Sequence, residues 1–277
     1  MAKEIIAPFE ILNSNPLIIL TIGIDSLEKI LSLNLPKNKK FYSLVRIHYT
    51  LENDNLIEFK EIYYKVLNIN PNNEIIILCN TVKEKDILNE LGIKCIFCNN
   101  NCFVSEEKFK ILENIRKDFD AIYNARMSPF KRHYLAKDIK SLALIYGDFI
   151  FDKDYFNKTK KLLPQAKWLN YINGNYKDFD SDEIANLLNR SRIGLCLSDV
   201  EGAMYASVEY MLCGLPVVST KSIGGRDVFF DDKYVKIVDD NPEAVAKGVI
   251  EMIDRDIDPY YIRDKTIKKM KEERERN

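Results

Sequence analysis

The chain has 277 residues, of which 46% are hydrophobic and 30% are charged, and its formal net charge is −1. This apolar content supports a packed core and excludes a disordered chain, while the near-zero charge excludes nucleic-acid binding through a general basic surplus. At about 100–200 residues per domain, the length indicates one large domain or two modest ones.

No apolar stretch approaches the ~20 residues that cross a membrane. The longest early run, Pro16 to Leu20, lacks a signal-peptide cleavage pattern. We therefore expect a cytoplasmic protein whose six cysteines are free thiols. Cys95, Cys98 and Cys102 have a spacing reminiscent of metal ligation, but no fourth ligand with matching spacing is evident, so no metal site is expected.

Short apolar runs alternate with helical segments along most of the chain. The runs are rich in Ile, Leu and Val without strict alternation, which is typical of parallel strands covered on both faces. The predicted strands are residues 17–22, 43–48, 74–79, 94–97, 121–123, 141–146, 167–172, 193–197 and 215–219. The predicted helices are residues 25–31, 56–67, 82–91, 106–115, 131–140, 181–190, 206–213, 242–253 and 259–271.

This alternation of strand and helix implies βαβ units, parallel sheets and doubly wound α/β layers. A second alternating series begins near residue 119. We therefore predict an N-terminal α/β domain over 1–118, a C-terminal α/β domain over 119–257 and a charged C-terminal helix over 258–277. The helix interleaves basic and acidic residues, which favours a solvated surface over contact with an acidic membrane.

The strongest motif runs from Leu197, where a predicted strand ends, to Gly214 and Pro216, which end a helix and start the next strand. Within it, Glu201 and Glu209 lie eight positions apart, a rise of ~12 Å in a helix, so they suit two ends of an extended ligand. A helix N-terminus favours a diphosphate between them. Glu209 would then accept hydrogen bonds from ribose hydroxyls, and Glu201 would contact sugar hydroxyls.

This segment resembles the Glu-x7-Glu motif of the retaining glycosyltransferases with the GT-B architecture, and its Cys213-Gly214-Leu215-Pro216 ending matches as well. The resemblance covers residues 40–257 and is most specific over 121–231. It implies two Rossmann-like parallel-sheet domains facing a cleft, with the donor bound by the C-terminal one. The free backbone amides of the turn between the glutamates, which consists of Gly202, Ala203, Met204 and Tyr205, would point at a donor lying there.

A second motif places a strand before a loop that contains Arg126 and Lys131. Cations beside the donor's β-phosphate would stabilise the charge that grows there as the glycosidic bond breaks. The family carries an Arg and a Lys after the first strand of its C-terminal domain. The resemblance maps Arg126 and Lys131 onto them, as substitutes for a metal ion. Neighbouring Arg132 and His133 are interpreted as structural.

Three weaker patterns complete the predicted site. His48 ends a strand, as a histidine facing the sugar does in some family members. Gly174 and Tyr176 follow a strand near the place where the family binds the nucleotide base, and Gly224 and Gly225 would let the backbone approach the donor. The alternatives are a structural histidine, an ordinary Asn-Gly turn and a packing loop. The last alternative extends to the two polar residues that follow, Arg226 and Asp227.

The chain departs from the family in two places. Only Met1 to Tyr42 precede the strand that ends at His48, so the resemblance implies a reduced N-terminal domain and leaves open whether the chain acts without a partner. Ala203 and Met204 stand where the family often has a second glycine. A Cβ at Met204 restricts positive φ and narrows the space beside the donor.

These patterns predict a metal-independent, hexosyltransferase-type enzyme that needs no cofactor. It would move a sugar from a UDP- or GDP-sugar to a glycan or lipid-linked acceptor with retention of configuration. Two alternatives stay open: a non-catalytic nucleotide-sugar-binding protein of the same fold, and a nucleotide-sugar epimerase. The expected partners are donor and acceptor but no nucleic acid, and contact with the cytoplasmic membrane face is left open. The sugar, the acceptor and the oligomeric state do not follow from the sequence.

Overall fold

The computed structural model describes residues 9–32, 39–147 and 152–276. The chain folds into two compact units. The first comprises Met1–Cys102, Glu201–Ala203 and Glu273–Asn277, and the second comprises Phe103–Val200 and Met204–Glu272. In the described ranges, no helix is both long enough and apolar enough to cross a membrane.

The first unit is built on one five-stranded sheet. Its strands, in spatial order, are β1 (Phe9–Ser14), β2 (Leu17–Ile22), β3 (Phe41–Arg46), β4 (Asn73–Cys79) and β5 (Cys95–Phe97). Strand β1 runs antiparallel to β2, and the other neighbours are parallel. The helices between the strands are α1 (Ile24–Leu31), α2 (Asp54–Leu67) and α3 (Val82–Glu90). Side chains from sheet and helices share one core, in which Val45, Ile77, Leu27 and Phe59 are fully buried.

A buried carboxylate anchors the loop that follows β3. Glu84, in the first turn of α3, accepts hydrogen bonds from the backbone N–H groups of Leu51 (3.1 Å), Asn80 (2.7 Å) and Thr81 (3.1 Å). Burial raises the pKa of Glu84, and these three hydrogen bonds oppose that shift. The chain that leaves β3 and carries His48 is therefore tied to α3.

The second unit contains a six-stranded parallel sheet. Its strands are β6 (Phe119–Asn124), β7 (Leu142–Ile145), β8 (Lys167–Trp168), β11 (Ser191–Cys196), β13 (Val217–Thr220) and β15 (Val235–Val238), and their spatial order is β15-β13-β11-β6-β7-β8. The short strands are β9 (Tyr171–Ile172), β10 (Asn175–Tyr176) and β14 (Ile223–Gly224). In a further short strand, β12 (Val200–Glu201), Val200 belongs to the second unit and Glu201 to the first. The helices are α4 (Lys153–Leu162), α5 (Ser181–Asn189), α6 (Tyr205–Leu212), α7 (Pro242–Asp254) and α8 (Pro259–Arg276). The predicted α/β class with parallel sheets is confirmed.

The predicted helix over 106–115 is wrong, because side chains from distant helices satisfy the backbone of this segment. Arg263 in α8 donates to the carbonyls of Glu106 and Phe109, both at 2.7 Å. Asn189 at the end of α5 donates to Lys110 O and accepts from Leu112 N, both at 2.9 Å. Backbone groups held in this way do not need helical partners.

The predicted helix over 131–140 is also wrong. The chain forms two 3-10 turns, Pro129–Lys131 and His133–Ala136, separated by Arg132 in the left-handed region at φ 50°. A residue at positive φ cannot continue a right-handed helix. Helix α4 was not predicted because few of its residues are apolar, and the predicted strand over 167–172 is two short strands, β8 and β9. Strands β1 and β15 were also not predicted.

Candidate functional site

The sheet of the second unit has a switch point between β6 and β11. These strands are parallel neighbours, paired at Ile193 with Ala121 and at Gly194 with Ile122. From β6 the sheet extends to β7 and β8 on one side, and to β11, β13 and β15 on the other. In open α/β sheets, ligands bind outside the carboxyl ends of the strands at such a point. The loop after β6 carries Arg126 and Lys131, and the chain after β11 leads into α6 and Glu209.

Two cations flank one aromatic ring in the loop after β6. The guanidinium of Arg126 lies 5.0 Å from the centroid of the Phe130 ring, and the Lys131 ammonium lies 5.2 Å from it. Phe130 is held by the segment that follows β11, because Asp199 N donates to its carbonyl at 3.2 Å. Tyr123 Oη donates to Lys131 O at 2.7 Å, and Lys131 is only 7% exposed. The structure therefore holds both charges at the carboxyl end of β6.

Glu209, in α6, contacts the last residue of β6. Its carboxyl accepts a hydrogen bond from Asn124 Nδ2 at 3.4 Å, and burial raises its pKa to about 7, which the Asn124 bond partly opposes. The next residue, Tyr210, accepts a hydrogen bond from Asn124 N at 2.7 Å. Asn124 thus joins the end of β6 to the face of α6 that carries the carboxyl. At neutral pH this carboxyl exists in both protonation states.

The family of the chain follows from a direct match. A family model for Glycosyl transferases group 1 matches residues 105–273, more than half of the chain. The chain belongs to this family. The matched residues contain both cations and Glu209, so the site just described lies in the segment that assigns the chain to the family. No curated protein matches the sequence.

Solved structures share the fold of this chain at low sequence identity. TarM from S. aureus matches with a TM-score of 0.65 and 19% identity over 92% of this chain and 51% of TarM. Sucrose-phosphate synthase from Thermosynechococcus elongatus matches with a TM-score of 0.64 and 14% identity, over 93% of this chain and 69% of the synthase. HepE from Anabaena, in complex with UDP, matches with a TM-score of 0.66 and 14% identity, over 92% of this chain and 74% of HepE. The chain spans about half the length of TarM. These likenesses show the GT-B fold.

The first glutamate of the motif lies outside the helix in this family member. Glu201 belongs to the short strand β12, and α6 begins only at Tyr205. The predicted ~12 Å of helical rise between Glu201 and Glu209 is therefore wrong, because only the second glutamate is helical. Met204 caps the helix at φ 55° and ψ 83° although it carries a Cβ. Its carbonyl accepts hydrogen bonds from the N–H and the hydroxyl of Ser207, at 3.0 and 2.8 Å, which hold this conformation.

Gly202 and His48 both belong to the first unit, and Gly202 packs on the backbone that leaves β3. A Cβ built on Gly202 would lie 2.8 Å from His48 C, 2.9 Å from His48 O and 2.9 Å from Tyr49 N. Thr50 Oγ1 donates to Glu201 O at 3.0 Å beside this contact. The glycine after the first glutamate is therefore required by close approach, and the His48 side chain is solvent-exposed.

The predicted base-side residues occupy a hairpin. Strands β9 and β10 pair antiparallel, and the turn between them has Asn173 at φ 51° and Gly174 at φ 83°, as in a two-residue Asn-Gly turn. The Tyr176 ring lies 5.4 Å from the Tyr146 ring, and its hydroxyl donates to Asp178 at 3.0 Å. Turn and ring thus have structural partners, and the exposed Gly174 leaves its backbone accessible.

The Gly-Gly loop after β13 is organised by Arg226, which is fully buried. Its guanidinium donates to the carbonyls of Cys196 (3.2 Å), Ser198 (2.8 Å) and Thr220, and it pairs with Asp227 at 2.6 Å. Gly224, at φ 106°, and the buried Gly225 enter the turn that carries this side chain. Arg226 therefore has the packing role that sequence reasoning left as one of two alternatives.

Arg132 and His133 are structural, as interpreted from the sequence. Arg132 donates to Leu197 O at 2.7 Å and Thr220 Oγ1 at 2.8 Å, and it pairs with Asp240 at 2.6 Å. His133 is fully buried beside Tyr155. Burial and the nearby charge of Lys131 lower its pKa to about 3, so it is neutral at physiological pH.

Sequence reasoning missed two contributors to the site, Asn124 and Tyr210. The tyrosine ring lies against Gly194 of β11 so closely that a Cβ there would stand 2.3 Å from it. A glycine inside a strand was the one local signal that another group approaches the backbone. All six cysteines are free thiols, and the described residues contain no cluster of three or more His, Cys, Asp or Glu able to hold a metal ion.

Replacing Gly202 by Ala is expected to destabilise the first unit by about 1–3 kcal/mol, because the new methyl group meets backbone atoms that cannot rotate away. Urea unfolding measures this loss. Gly147→Ala is the matched control, since a Cβ at Gly147 meets no atom of the described residues within 4 Å. Equal stability of the two variants would contradict the close approach.

Replacing Glu209 by Gln is expected to stabilise the protein at pH 8 by about 1–3 kcal/mol. The folded state raises the carboxyl pKa from 4.5 to about 7, so it binds the proton more tightly than the unfolded state does. The stability contributed by this group is therefore complete below pH 4.5 and is lost as the pH rises through 7. Urea unfolding at pH 5 and pH 8 should show the advantage of Gln growing with pH.

The matched control for this prediction is Glu251→Gln. Lys236 lowers the pKa of Glu251, so this carboxylate contributes stability above its unfolded pKa, and Gln there should reduce stability at pH 8. Opposite signs for the two variants are expected. A Glu209→Gln effect that is the same at both pH values would contradict the assigned proton linkage.

Proposed function

We propose that this group 1 glycosyltransferase transfers a hexose-like residue from a nucleoside diphosphate sugar to a glycan or lipid-linked acceptor. Configuration would be retained, and no metal ion would be required. The observation that carries the proposal is the arrangement at the switch point of the second unit. There Arg126 and Lys131 flank the Phe130 ring at the end of β6, and Glu209 approaches the same strand end through Asn124.

The proposed chemistry assigns the two cations to the departing diphosphate. As the bond between the anomeric carbon and the β-phosphate oxygen breaks, negative charge grows on that phosphate. Fixed cations stabilise this developing charge more than they stabilise the ground state. The acceptor hydroxyl forms the new bond to the anomeric carbon on the same face, and its proton passes to the leaving diphosphate. Arg126 adds a planar donor set that matches two phosphate oxygens.

We propose a UDP- or GDP-sugar as the donor. In support, HepE has been solved in complex with UDP and with UDP-glucose. Glu209 would accept hydrogen bonds from the ribose hydroxyls, and the hairpin at Gly174 and Tyr176 would lie beside the base. The turn from Gly202 to Tyr205, with Gly224 and Gly225, would contact the diphosphate and sugar. Glu201 would bind sugar hydroxyls, and His48 would line the acceptor side.

The proposal is tested by combining a binding screen with product analysis. A thermal-shift screen against UDP-, GDP-, ADP- and CMP-sugars should show stabilisation by a UDP- or GDP-sugar, since a ligand that binds only the folded state raises its melting temperature. The stabilising donor is then incubated with acceptor glycans in the presence of EDTA. Transfer with the donor's anomeric configuration retained is expected.

Other outcomes separate the alternatives. Donor binding without transfer or hydrolysis, across many acceptors, would favour a non-catalytic binding protein. Conversion of the donor to a sugar epimer without acceptor would favour an epimerase. Loss of transfer in EDTA, restored by a divalent cation, would contradict metal independence.

A further inference from the structure

Two polar side chains, Asp25 and His48, lie near each other at the carboxyl edge of the sheet in the first unit, and the proposed chemistry assigns no role to Asp25. Strands β2 and β3 are parallel neighbours paired at Ile22 with Arg46, and Gly23 N continues the ladder by donating to Arg46 O at 2.9 Å. The residues that follow both strands therefore emerge side by side. After β2 this brings Asp25, in the first turn of α1, and after β3 it brings His48.

The space between these side chains exists because residue 23 is glycine. A Cβ built on Gly23 would lie 2.4 Å from Asp25 Oδ1 and 3.3 Å from His48 Cε1. The carboxylate oxygen and the imidazole carbon are therefore at most the sum of these distances, about 5.7 Å, apart. Gly23 also has φ 81°, a conformation that side chains rarely adopt. A larger residue would fill the gap that separates Asp25 from His48.

The Asp25 carboxylate is available to a ligand. It is solvent-exposed, it makes no side-chain cap for α1, and no hydrogen bond or ion pair to it is found within the described ranges. Tyr49 lies beside His48, with ring centroids 4.9 Å apart. Burial raises the pKa of Tyr49 to about 12, with a contribution from the charge of Asp25, so the phenol stays neutral.

One bridging hydroxyl fits within this upper limit. A hydroxyl oxygen that donates to a carboxylate and accepts from an imidazole N–H lies roughly 2.8 Å from each, so a bent arrangement places its two partners about 4.5–5.5 Å apart. We propose that Asp25 and His48 bind one sugar hydroxyl between them, with Asp25 as the acceptor and His48 as the donor. This inference rests on the proposed function, and it adds Asp25 as a substrate-binding residue.

The same part of the first unit already carries a residue of the donor motif. Gly202 packs on the backbone of His48, and Thr50 holds the carbonyl of Glu201 at 3.0 Å. A hydroxyl bound by Asp25 and His48 therefore lies in the unit that also contains Glu201. The hydroxyl belongs either to the transferred sugar or to the acceptor glycan, and both are polyhydroxylated ligands of the same chemistry.

The test replaces Asp25 by Asn, which keeps the shape and removes the charged acceptor. We expect kcat/KM for sugar transfer to fall by about 10- to 100-fold, as for a lost hydrogen bond to a charged group. Glu28→Gln is the matched control. It removes a carboxylate from the same helix α1, where Glu28 pairs with Lys65 at 2.5 Å, and it should stay within twofold of wild type. Thermal unfolding of each variant verifies that the fold is intact.

A double-mutant cycle with His48→Ala tests whether the two residues share one hydroxyl. If they do, the double variant is about as impaired as the weaker single variant, because the second substitution removes a contact already broken. Asp25→Asn activity within twofold of wild type, or effects that multiply in the double variant, would overturn the inference.

Donor hydrolysis without acceptor identifies the source of the hydroxyl. An equal loss in hydrolysis and transfer places it on the donor sugar, and a loss confined to transfer with a raised acceptor KM places it on the acceptor; both results support the site. Failure of the proposed function looks different, since wild-type protein would then neither bind nor turn over a nucleotide sugar, and the inference would fall with it. With active wild type and active Asp25→Asn, only the inference fails.

Discussion

Replacing Lys131 by Met is expected to lower kcat/KM for sugar transfer by about 10²–10³-fold with the fold intact. Methionine keeps the aliphatic stem of this buried side chain and removes its charge, so the loss reports on the ammonium. The structure holds that ammonium beside the Phe130 ring at the end of β6, together with the Arg126 guanidinium. Arg126→Met should cost a similar factor. Steady-state transfer assays with the donor found in the binding screen measure both.

The control for this pair is Lys137→Met, which removes an exposed lysine just after the second 3-10 turn of the same connection. It should leave transfer within twofold of wild type, as exposed lysines contribute little. Calorimetry with UDP and GDP separates binding from catalysis. If the two cations act mainly on the transition state, removing either of them should lower kcat more than it lowers nucleotide affinity. Near-normal transfer by both Lys131→Met and Arg126→Met would contradict phosphate stabilisation by this loop.

The second large effect is structural. Replacing Arg226 by Met should cost about 3–5 kcal/mol of folding stability, because it leaves several buried carbonyls without donors and removes the ion-pair partner of the partly exposed Asp227. The guanidinium serves the carbonyls of Cys196 and Ser198 at the end of β11 and that of Thr220 at the end of β13. Urea unfolding monitored by circular dichroism measures the change.

Arg116→Met is the matched control for Arg226, since the Arg116 side chain is 92% exposed and pairs with Asp118 only at 3.7 Å. Its effect should stay within about 0.5 kcal/mol. Destabilisation of the Arg226 variant no larger than this would show that the loop finds other donors. Where the variant remains folded, nucleotide binding should also weaken, because Gly224 and Gly225 precede the side chain that orders their turn.

Local signals account for the elements that the sequence predicted well. Helix α6 was predicted over 206–213 and is Tyr205–Leu212, because an apolar run meets Gly214, whose φ of 75° ends the helix. The two cations and Glu209 were found in the same way, by their order around strands that the apolar pattern already located. Predictions of this kind depend only on residues that are close together in the sequence.

Long-range partners explain the errors. The local pattern of residues 106–115 predicts a helix. In the structure, Arg263 and Asn189 donate hydrogen bonds to carbonyls of this segment, and the local sequence does not indicate either partner. Arg132 interrupts the predicted helix over 131–140, and its side chain bonds Leu197, just after β11, and Thr220, at the end of β13. The bond from Asn124 to Tyr210 depends on the register of β6 against β11, which only the assembled sheet defines.

The bonds from Arg263 to residues 106–115 also impose an order on biosynthesis. They join residues 154 and 157 positions apart, so the ribosome releases Glu106 and Phe109 long before Arg263 exists. Before then these two carbonyls lack their Arg263 donors and can bond only water, and exposed backbone of this kind is accessible to proteases and chaperones. Once α8 has been synthesised, Arg263 can donate to both carbonyls. Residues 106–115 should therefore be cleaved more readily in a chain that still lacks α8 than in the completed chain.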